Sequence, residues 1–394
     1  GQGTGTTGAT VPGDQPTLVV SLQRMNRIIE VDPHNRLMVV QPGVTNQAVQ
    51  DAAATQGFFW PPDPTSAAVC TVGGNLAYNS AGPRAVKYGT PRENTLALTA
   101  VTGKGETLRT GTRTTKGVVG YDLTRLLIGS EGTLAIITEA TLKLTPLQPA
   151  KRTLRLIYNS LHSAAQAVSA IMAQPVVPCA LEFMDGNALQ MVRQELGDNL
   201  PAAADALLMV EIDAMPAQLD ELSDQLIDAA RVDGILEVTT ARTKEEADSL
   251  WAVRKALSPA LRRVAPKKIN EDVVVPVSRI PDLVSELQRL SAKHRIHIVN
   301  FGHAGNGNLH VNLMYDPADG DQTQRAHACL EGVFAAVLDM QGTISGEHGI
   351  GLVKRDWVGR ELDATSLRLM RAIKAQFDPD GILNPGKGMP DIAD

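Results

Sequence analysis

Cysteine is scarce: three in 394 residues (Cys70, Cys179, Cys329), widely spaced and without a C-x-x-C pair. That argues against a disulfide scaffold, a Cys-rich zinc module and a protein-ligated iron–sulfur cluster, and it fits a reducing, cytoplasmic compartment. Long apolar runs are also missing. None approaches the ~20 residues of a membrane helix, so no transmembrane segment is expected, and peripheral attachment to a membrane stays open. Basic residues are not in excess: 37 Lys and Arg face 43 Asp and Glu, a net charge of −6. A general nucleic-acid binder needs the opposite sign. What remains is ordinary globular composition, 43% hydrophobic and 20% charged, which excludes disorder, collagen-like repetition and coiled coil for the bulk of the chain. The length calls for two or three domains.

The first 150 residues read as strand-rich. Leu18–Ser21, Arg36–Val40 and Leu134–Thr138 are short β-branched runs bounded by turn residues. Glycine is dense here, as turns with positive φ or a backbone pressed against a ligand require. The texture changes near Pro146-Leu147-Gln148-Pro149. Beyond it, helices are expected at 163–173, 218–230, 243–257, 279–293, 322–339 and 364–376. Strands are expected at 206–212, 235–240, 269–275, 296–301 and 309–314. That is an α+β pattern, an antiparallel sheet with helices on one face.

Three glycine-bearing segments stand out before residue 140. The chain opens on Gly1-Gln2-Gly3-Thr4-Gly5-Thr6-Thr7-Gly8, whose amides can approach phosphate oxygens without Cβ obstruction. Ala9-Thr10-Val11-Pro12-Gly13 follows and cannot start a helix, so a dinucleotide fingerprint of the strand–glycine–helix kind is disfavoured. Pro61-Pro62-Asp63-Pro64-Thr65-Ser66 precedes Gly73-Gly74-Asn75 and Asn79-Ser80-Ala81-Gly82, and Gly129-Ser130-Glu131-Gly132-Thr133-Leu134 leads into a strand. Each alone reads as a turn. Three in one strand-rich region point to a ligand.

Of eight histidines, three fall in two tight motifs: Gly302-His303-Ala304-Gly305-Asn306-Gly307-Asn308-Leu309-His310-Val311-Asn312 and Gly346-Glu347-His348-Gly349. Asn306-Gly307 is a hairpin signal that returns His303 towards His310. Strand alternation then sets His310 and Asn312 on one face, with Leu309, Val311 and Leu313 on the other. Two imidazoles and a carboxylate, His303, His310 and Glu347, make the ligand set of an open divalent site, with zinc the natural ion. His348 is left as a general base, since imidazole is the side chain suited to proton transfer near neutrality. The bland alternative is a hydrogen-bonded turn and a polar loop.

These motifs resemble a known family. The opening loop, Pro-Asp-Pro-Thr-Ser, Gly-Gly-Asn-x-x-x-Asn-x-x-Gly and Gly-Ser-Glu-Gly-Thr-Leu look like the FAD-binding domain of the vanillyl-alcohol oxidase (PCMH) type. Gly-His-x-Gly-x-Gly-Asn-x-His, Gly-Glu-His-Gly and Asn384-Pro385-Gly386-Lys387 look like the C-terminal domain of FAD-linked oxidases. That group includes D-lactate dehydrogenase, the flavin subunit of glycolate oxidase and D-2-hydroxyglutarate dehydrogenase. The likeness runs from Gly1 to Lys387.

The resemblance implies an FAD domain at 1–148, an α+β, ferredoxin-like substrate and metal domain at 149–360, and a helical tail at 361–394 returning to the flavin. It implies flavin contacts at Gly3, Thr4, Gly5, Thr6, Gly8, Pro62, Asp63, Ser66, Gly73, Gly74, Asn75, Asn79, Gly82, Glu131, Gly132, Ile137 and Asn384. The opening loop has no histidine, so the FAD is expected to be non-covalent. Leu250-Trp251-Ala252-Val253-Arg254 matches the family segment whose arginine clamps the substrate carboxylate, and Ser258 and Asn312 are expected beside the substrate. In relatives acting on the longer dicarboxylate a lysine precedes a Tyr-Asp-x-x-x-Pro strand. Asn270 stands there, with Lys267 and Lys268 near but out of register. The implied activity is therefore oxidation of a small D-2-hydroxy acid, D-lactate or glycolate, with hydroxyglutarate the alternative. Electrons would leave to a quinone, a cytochrome, an electron-transfer flavoprotein or an iron–sulfur subunit. A homodimer is allowed for. A zinc hydrolase and a non-catalytic flavin-binding subunit are the competing classes. Because a βαβ segment precedes the opening loop in this family, further chain ahead of Gly1 is expected.

Overall fold

The computed structural model describes residues 1–13, 16–196 and 200–390, apart from the side chains at 194–196, 255, 258, 259, 262 and 263. Two compact units emerge: Gly1–Leu147 together with Glu347–Asp394, and Gln148–Gly346.

In the first unit, β1 (Ile28–Asp32), β2 (Leu37–Val40), β4 (Thr95–Thr102), β5 (Thr107–Gly111) and β6 (Ala135–Lys143) form a five-stranded antiparallel sheet, ordered β1-β2-β6-β4-β5. A small pair, β3 (Phe58–Phe59) and β7 (Thr145–Pro146), lies outside it. Helices α1 (Asn46–Ala54), α2 (Val72–Tyr78), α3 (Ala85–Tyr88) and α4 (Leu123–Leu127) are short. Thr45, Thr71 and Asp122 cap α1, α2 and α4 by accepting from a backbone amide of the first turn. Met38, Val40, Leu98 and Leu142 of the sheet pack with Val49, Leu76, Leu127 and Trp60 in one core. The expected strand at Leu18–Ser21 does not form. Leu18 and Val19 are 87% and 74% exposed and make no ladder among the described residues, so β-propensity there has no partner edge to act on.

The second unit is a seven-stranded sheet with every pairing antiparallel. Its strands are β8 (Ala150–Tyr158), β9 (Ala180–Asp185), β10 (Ala206–Ala214), β11 (Ile235–Ala241), β12 (Lys267–Val274), β13 (His297–Gly302) and β14 (Asn308–Tyr315), ordered β11-β8-β10-β9-β13-β14-β12. The helices are α5 (Leu161–Met172), α6 (Gly186–Leu196), α7 (Leu219–Ala230), α8 (Lys244–Val264), α9 (Ile280–His294) and α10 (Gly320–Asp339). The helix over 243–257 runs further than its cap predicted. Thr243 and Glu246 form a complete capping box, and the buried stripe Leu250, Val253, Leu257, Ala260, Leu261 carries α8 to Val264. That stripe packs on Met184, Val299, Phe301 and Met314, which defines the site-bearing face of the sheet. By strand alternation Glu182, His310 and Asn312 share that face.

The β13–β14 connection differs from the two-residue hairpin expected. Ala304–Asn306 is a turn of 3-10 helix, and Gly307 closes it in the left-handed region at φ +74. A Cβ at Gly307 would lie 1.9 Å from the Val275 carbonyl oxygen, so both the dihedral and the close approach demand glycine. Gly307→Ala should cost roughly 3 kcal/mol, from left-handed strain plus displacement of a neighbouring strand end. Urea unfolding of the variant against the parent chain measures it, and an unchanged midpoint would contradict the geometry.

Asp185 ends β9 buried, accepting from the amides of Ala188 and Asn300 and from the Asn300 side chain. Burial pushes its carboxyl up, those three donors pull it back and Asp205 pushes again, leaving it at about 7 against an ordinary 3.8. A carboxyl raised on folding contributes stability that is full below the unfolded value and is lost as pH climbs through the folded one. Relative to Asp185→Asn, the parent should lose stability between about pH 4 and 7, by up to ~1.4 kcal/mol per pH unit. Thermal midpoints across that range test it, and parallel curves for the two proteins would refute it.

Candidate active site

In the second unit the centre of the site is a residue the motifs did not flag. Glu182 lies mid-strand in the fully buried run Ala180–Asp185. Its Oε2 accepts from Arg254 Nε at 2.8 Å and its Oε1 meets His303 Nδ1 at 2.5 Å. Burial opposes its charge, but the His303 and Arg254 charges and the hydrogen bonds from both outweigh that and hold the carboxyl down at about 2. Arg254 is not a solvent-facing helix arginine. Its side chain is 12% exposed, and its guanidinium sits 4.8 Å from the centre of the Phe301 ring. Arg254 reaches the sheet because it falls between Leu250 and Leu257 on the buried stripe of α8.

His303 and His310 are brought together, ring centres 5.3 Å apart and edge to face, both buried. The Nδ1 contact of His303 with Glu182 is the kind of carboxylate backing that metal-binding imidazoles have, and a metal on this residue would be taken through Nε2. The donor set fits a borderline divalent ion. Asn312 is 0% exposed and its carboxamide is saturated. Its Oδ1 accepts from Asn270 Nδ2 at 2.6 Å and Lys268 Nζ at 3.2 Å, and its Nδ2 donates to the carbonyls of Val299 and His310. Lys268, expected out of register, is two residues before Asn270 on β12 and so shares its face. Asp272, opposite His310 on β14, accepts from the Gly346 amide through both its carbonyl and a carboxylate oxygen at 2.9 Å. Ser258 falls among the side chains outside the description.

In the first unit the glycine segments converge on Glu131. Its carboxylate accepts from the amides of Ile350 and Gly351, and its carbonyl accepts from Asn384 Nδ2, which also donates to the carbonyl of Ala9. Burial raises its carboxyl; the two amides, Lys354 and Lys387 offset that only in part. Thr7 donates to the His348 carbonyl and accepts the Leu352 amide. Glu347 Oε2 accepts from the Gly82 amide at 2.9 Å and its carbonyl from Ser80 Oγ. The opening loop, the 129–132 turn, the 347–352 segment and the C-terminal tail thus meet in one place.

Within that cluster, Gly3 has open space around it and Gly132 likewise, both at positive φ, while Thr4 and Thr6 are exposed. Gly5 faces the Tyr78 hydroxyl, Gly8 the side chain of Leu352, Gly73 the ring of Pro42 and Gly82 the Asp63 carbonyl. An open, glycine-lined cradle suits a pyrophosphate-bearing ligand. Other candidates are engaged in shaping it. Asn75 is buried against Asn46 and Cys70, and Asn79 is a left-handed cap accepting from Thr90 and Arg92. Pro62 accepts from Asn46, Ser66 accepts the Cys70 amide, Asp63 lies 3.5 Å from Arg84, and Gly74 donates to the Thr71 cap. Ile137 belongs to the core.

The family description "FAD linked oxidases, C-terminal domain" matches residues 147–388, and "FAD binding domain" matches residues 1–111. The chain belongs to the FAD-linked oxidase family. It is an FAD-linked oxidoreductase. The glycolate oxidase subunit GlcD of Bacillus subtilis strain 168 is 40% identical over 388 residues, covering 98% of this chain and 82% of the relative. GlcD of Escherichia coli K12 is 33% identical, covering 100% and 78%. The D-lactate dehydrogenase of Archaeoglobus fulgidus is 36% identical, covering 98% and 84%. Among solved structures, substrate-bound p-cresol methylhydroxylase superposes with a TM-score of 0.73 at 17% identity, covering 94% of this chain and 79% of that one. Alkyldihydroxyacetonephosphate synthase gives 0.69 at 20%, covering 95% and 69%. These last two establish the fold alone, a PCMH-type FAD-binding fold with an α+β second unit. No helix of the described residues is long and apolar enough to cross a membrane.

For this FAD-linked oxidase, Glu131→Ala removes the acceptor of the Ile350 and Gly351 amides and should cost roughly 3 kcal/mol. Less FAD should be retained per chain after gel filtration. Full retention with an unchanged thermal midpoint would show that the Glu131 hub holds nothing together.

Proposed function

We propose that this chain is the flavin-bearing catalytic subunit of a 2-hydroxy acid dehydrogenase, oxidising a small D-2-hydroxy acid, glycolate or D-lactate, to the 2-oxo acid. The observation that carries this is the Glu182–Arg254–His303–His310 cluster on one sheet face: a carboxylate-binding cation beside paired imidazoles. The names of the relatives support the same substrate class.

When bound, FAD is the hydride acceptor, and a zinc-class divalent ion is a Lewis acid towards the substrate hydroxyl. Gly3, Thr4, Gly5, Thr6, Gly8, Gly132 and the backbone near Gly82 would hold the non-covalent flavin. Pro62, Asp63, Ser66, Gly73, Gly74, Asn75, Asn79, Glu131, Ile137 and Asn384 would shape its cradle. His303 and His310 would hold the ion. Glu347 is the third ligand in this reading, a carboxylate completing two imidazoles. Arg254 takes the substrate carboxylate on its planar edge. His348 removes the hydroxyl proton. Asn312, itself fixed by four hydrogen bonds, sets the positions of Lys268 and Asn270 around the substrate. Electrons then pass to an external acceptor, a quinone, cytochrome, electron-transfer flavoprotein or iron–sulfur subunit.

A second reading, D-2-hydroxyglutarate, is favoured by one observation. Lys268 directs a second cation onto the site-bearing face, where the distal carboxylate of a dicarboxylic acid would find it.

The experiment is anaerobic flavin bleaching with glycolate, D-lactate, L-lactate and D-2-hydroxyglutarate in turn. Glycolate or D-lactate should bleach the flavin, and chelation should slow bleaching at least tenfold. His348→Ala should keep FAD and metal yet stay oxidised. A flavin that no acid bleaches would sink the reading, and bleaching by hydroxyglutarate alone would replace it with the second.

A further inference from the structure

We propose that Glu182 is a positioning residue serving substrate binding and metal binding together; this rests on the function proposed above. One buried carboxylate spends its two oxygens on two different partners, Oε2 on Arg254 Nε and Oε1 on His303 Nδ1. The first contact uses the inner nitrogen of the guanidinium, which leaves the outer amino groups to meet a substrate carboxylate. Phe301 beneath the guanidinium fixes its plane. When a metal is bound, the second contact keeps the one remaining ring proton of His303 on Nδ1, so that Nε2 carries the lone pair a metal needs. A single side chain therefore sets both the orientation of the clamp and the tautomer of the ligand.

A purely structural ion pair makes a different prediction. Buried pairs are costly to desolvate, and their main signature on disruption is lost stability. The discriminating substitution is Glu182→Gln. Glutamine has one acceptor, which the charged Arg254 takes. Its NH₂ then faces His303 and must donate to Nδ1, which moves the imidazole proton to Nε2 and blocks it as a ligand.

The test uses the FAD-loaded chain with three readouts: zinc affinity by competition with a chromophoric chelator, oxalate affinity from the perturbed flavin spectrum, and the thermal midpoint. Glu182→Gln should weaken zinc binding roughly 10- to 100-fold and oxalate binding about tenfold or more, with FAD retained. A lower midpoint with both affinities unchanged overturns the proposal. If Glu182→Gln does not fold, Glu182→Asp is measured in its place. Its shorter arm keeps the charge but cannot hold both partners, so at least one affinity should fall, and retention of both overturns the proposal. Parent protein that binds zinc and is bleached, paired with an unaffected variant, sinks the positioning role alone. Parent protein that no acid bleaches sinks the function, while the zinc measurement still reports on Glu182.

Discussion

The contact of Glu182 with Arg254 and His303 is the interaction on which the second unit's candidate site depends. A carboxylate mid-strand in a buried sheet cannot remain charged unless it is ringed by donors. Arg254 and His303 supply them, and each is fixed in return. Arg254 must come from α8, so the capping box at Thr243 and the apolar stripe to Leu261 serve this contact as well as the packing. His303 must arrive at the end of β13, so the tight turn closed by Gly307 matters too. Removing one member of such a group leaves the others buried and unmatched, which is why buried pairs break expensively.

The first unit solves the same problem with backbone rather than side chains. Glu131 is held by the amides of Ile350 and Gly351, and its own carbonyl is capped by Asn384. Segments more than 200 residues apart in sequence meet on one carboxyl group. The glycines around it are of two kinds. Gly3 and Gly132 have open space beside them, whereas Gly73, Gly82 and Gly351 are pressed against neighbouring backbone or proline. The first kind leaves its backbone open, and the second lets the loops approach closely.

Much of this was legible in sequence because it is local. The helix at Thr243, the alternation placing His310 with Asn312, and the glycine segments all follow from spacing and residue type. The turn at 303–307 was legible as a turn, though its 3-10 geometry was not. Strand β9 escaped notice because a run buried on both faces lacks the period that marks a strand. Leu18–Ser21 failed for the converse reason: it has the composition of a strand, but strand pairing is decided by what lies alongside. Lys268 stands two positions from the family's lysine position, yet it shares the face of Asn270, because the face a strand residue takes depends on parity.

By itself the sequence determined many of the elements, the family and the residue types of its motifs, since these reside in local spacing and motif identity. Only the tertiary structure decided which of them act together. Glu182 carries no motif, and its importance lies in partners 72 and 121 residues away. Asn312 carries one, yet its carboxamide is already saturated by its neighbours. The physical reason is the same in both cases. The charge state and hydrogen-bonding capacity of a side chain are set by what surrounds it once water has been excluded, and folding alone brings those surroundings together.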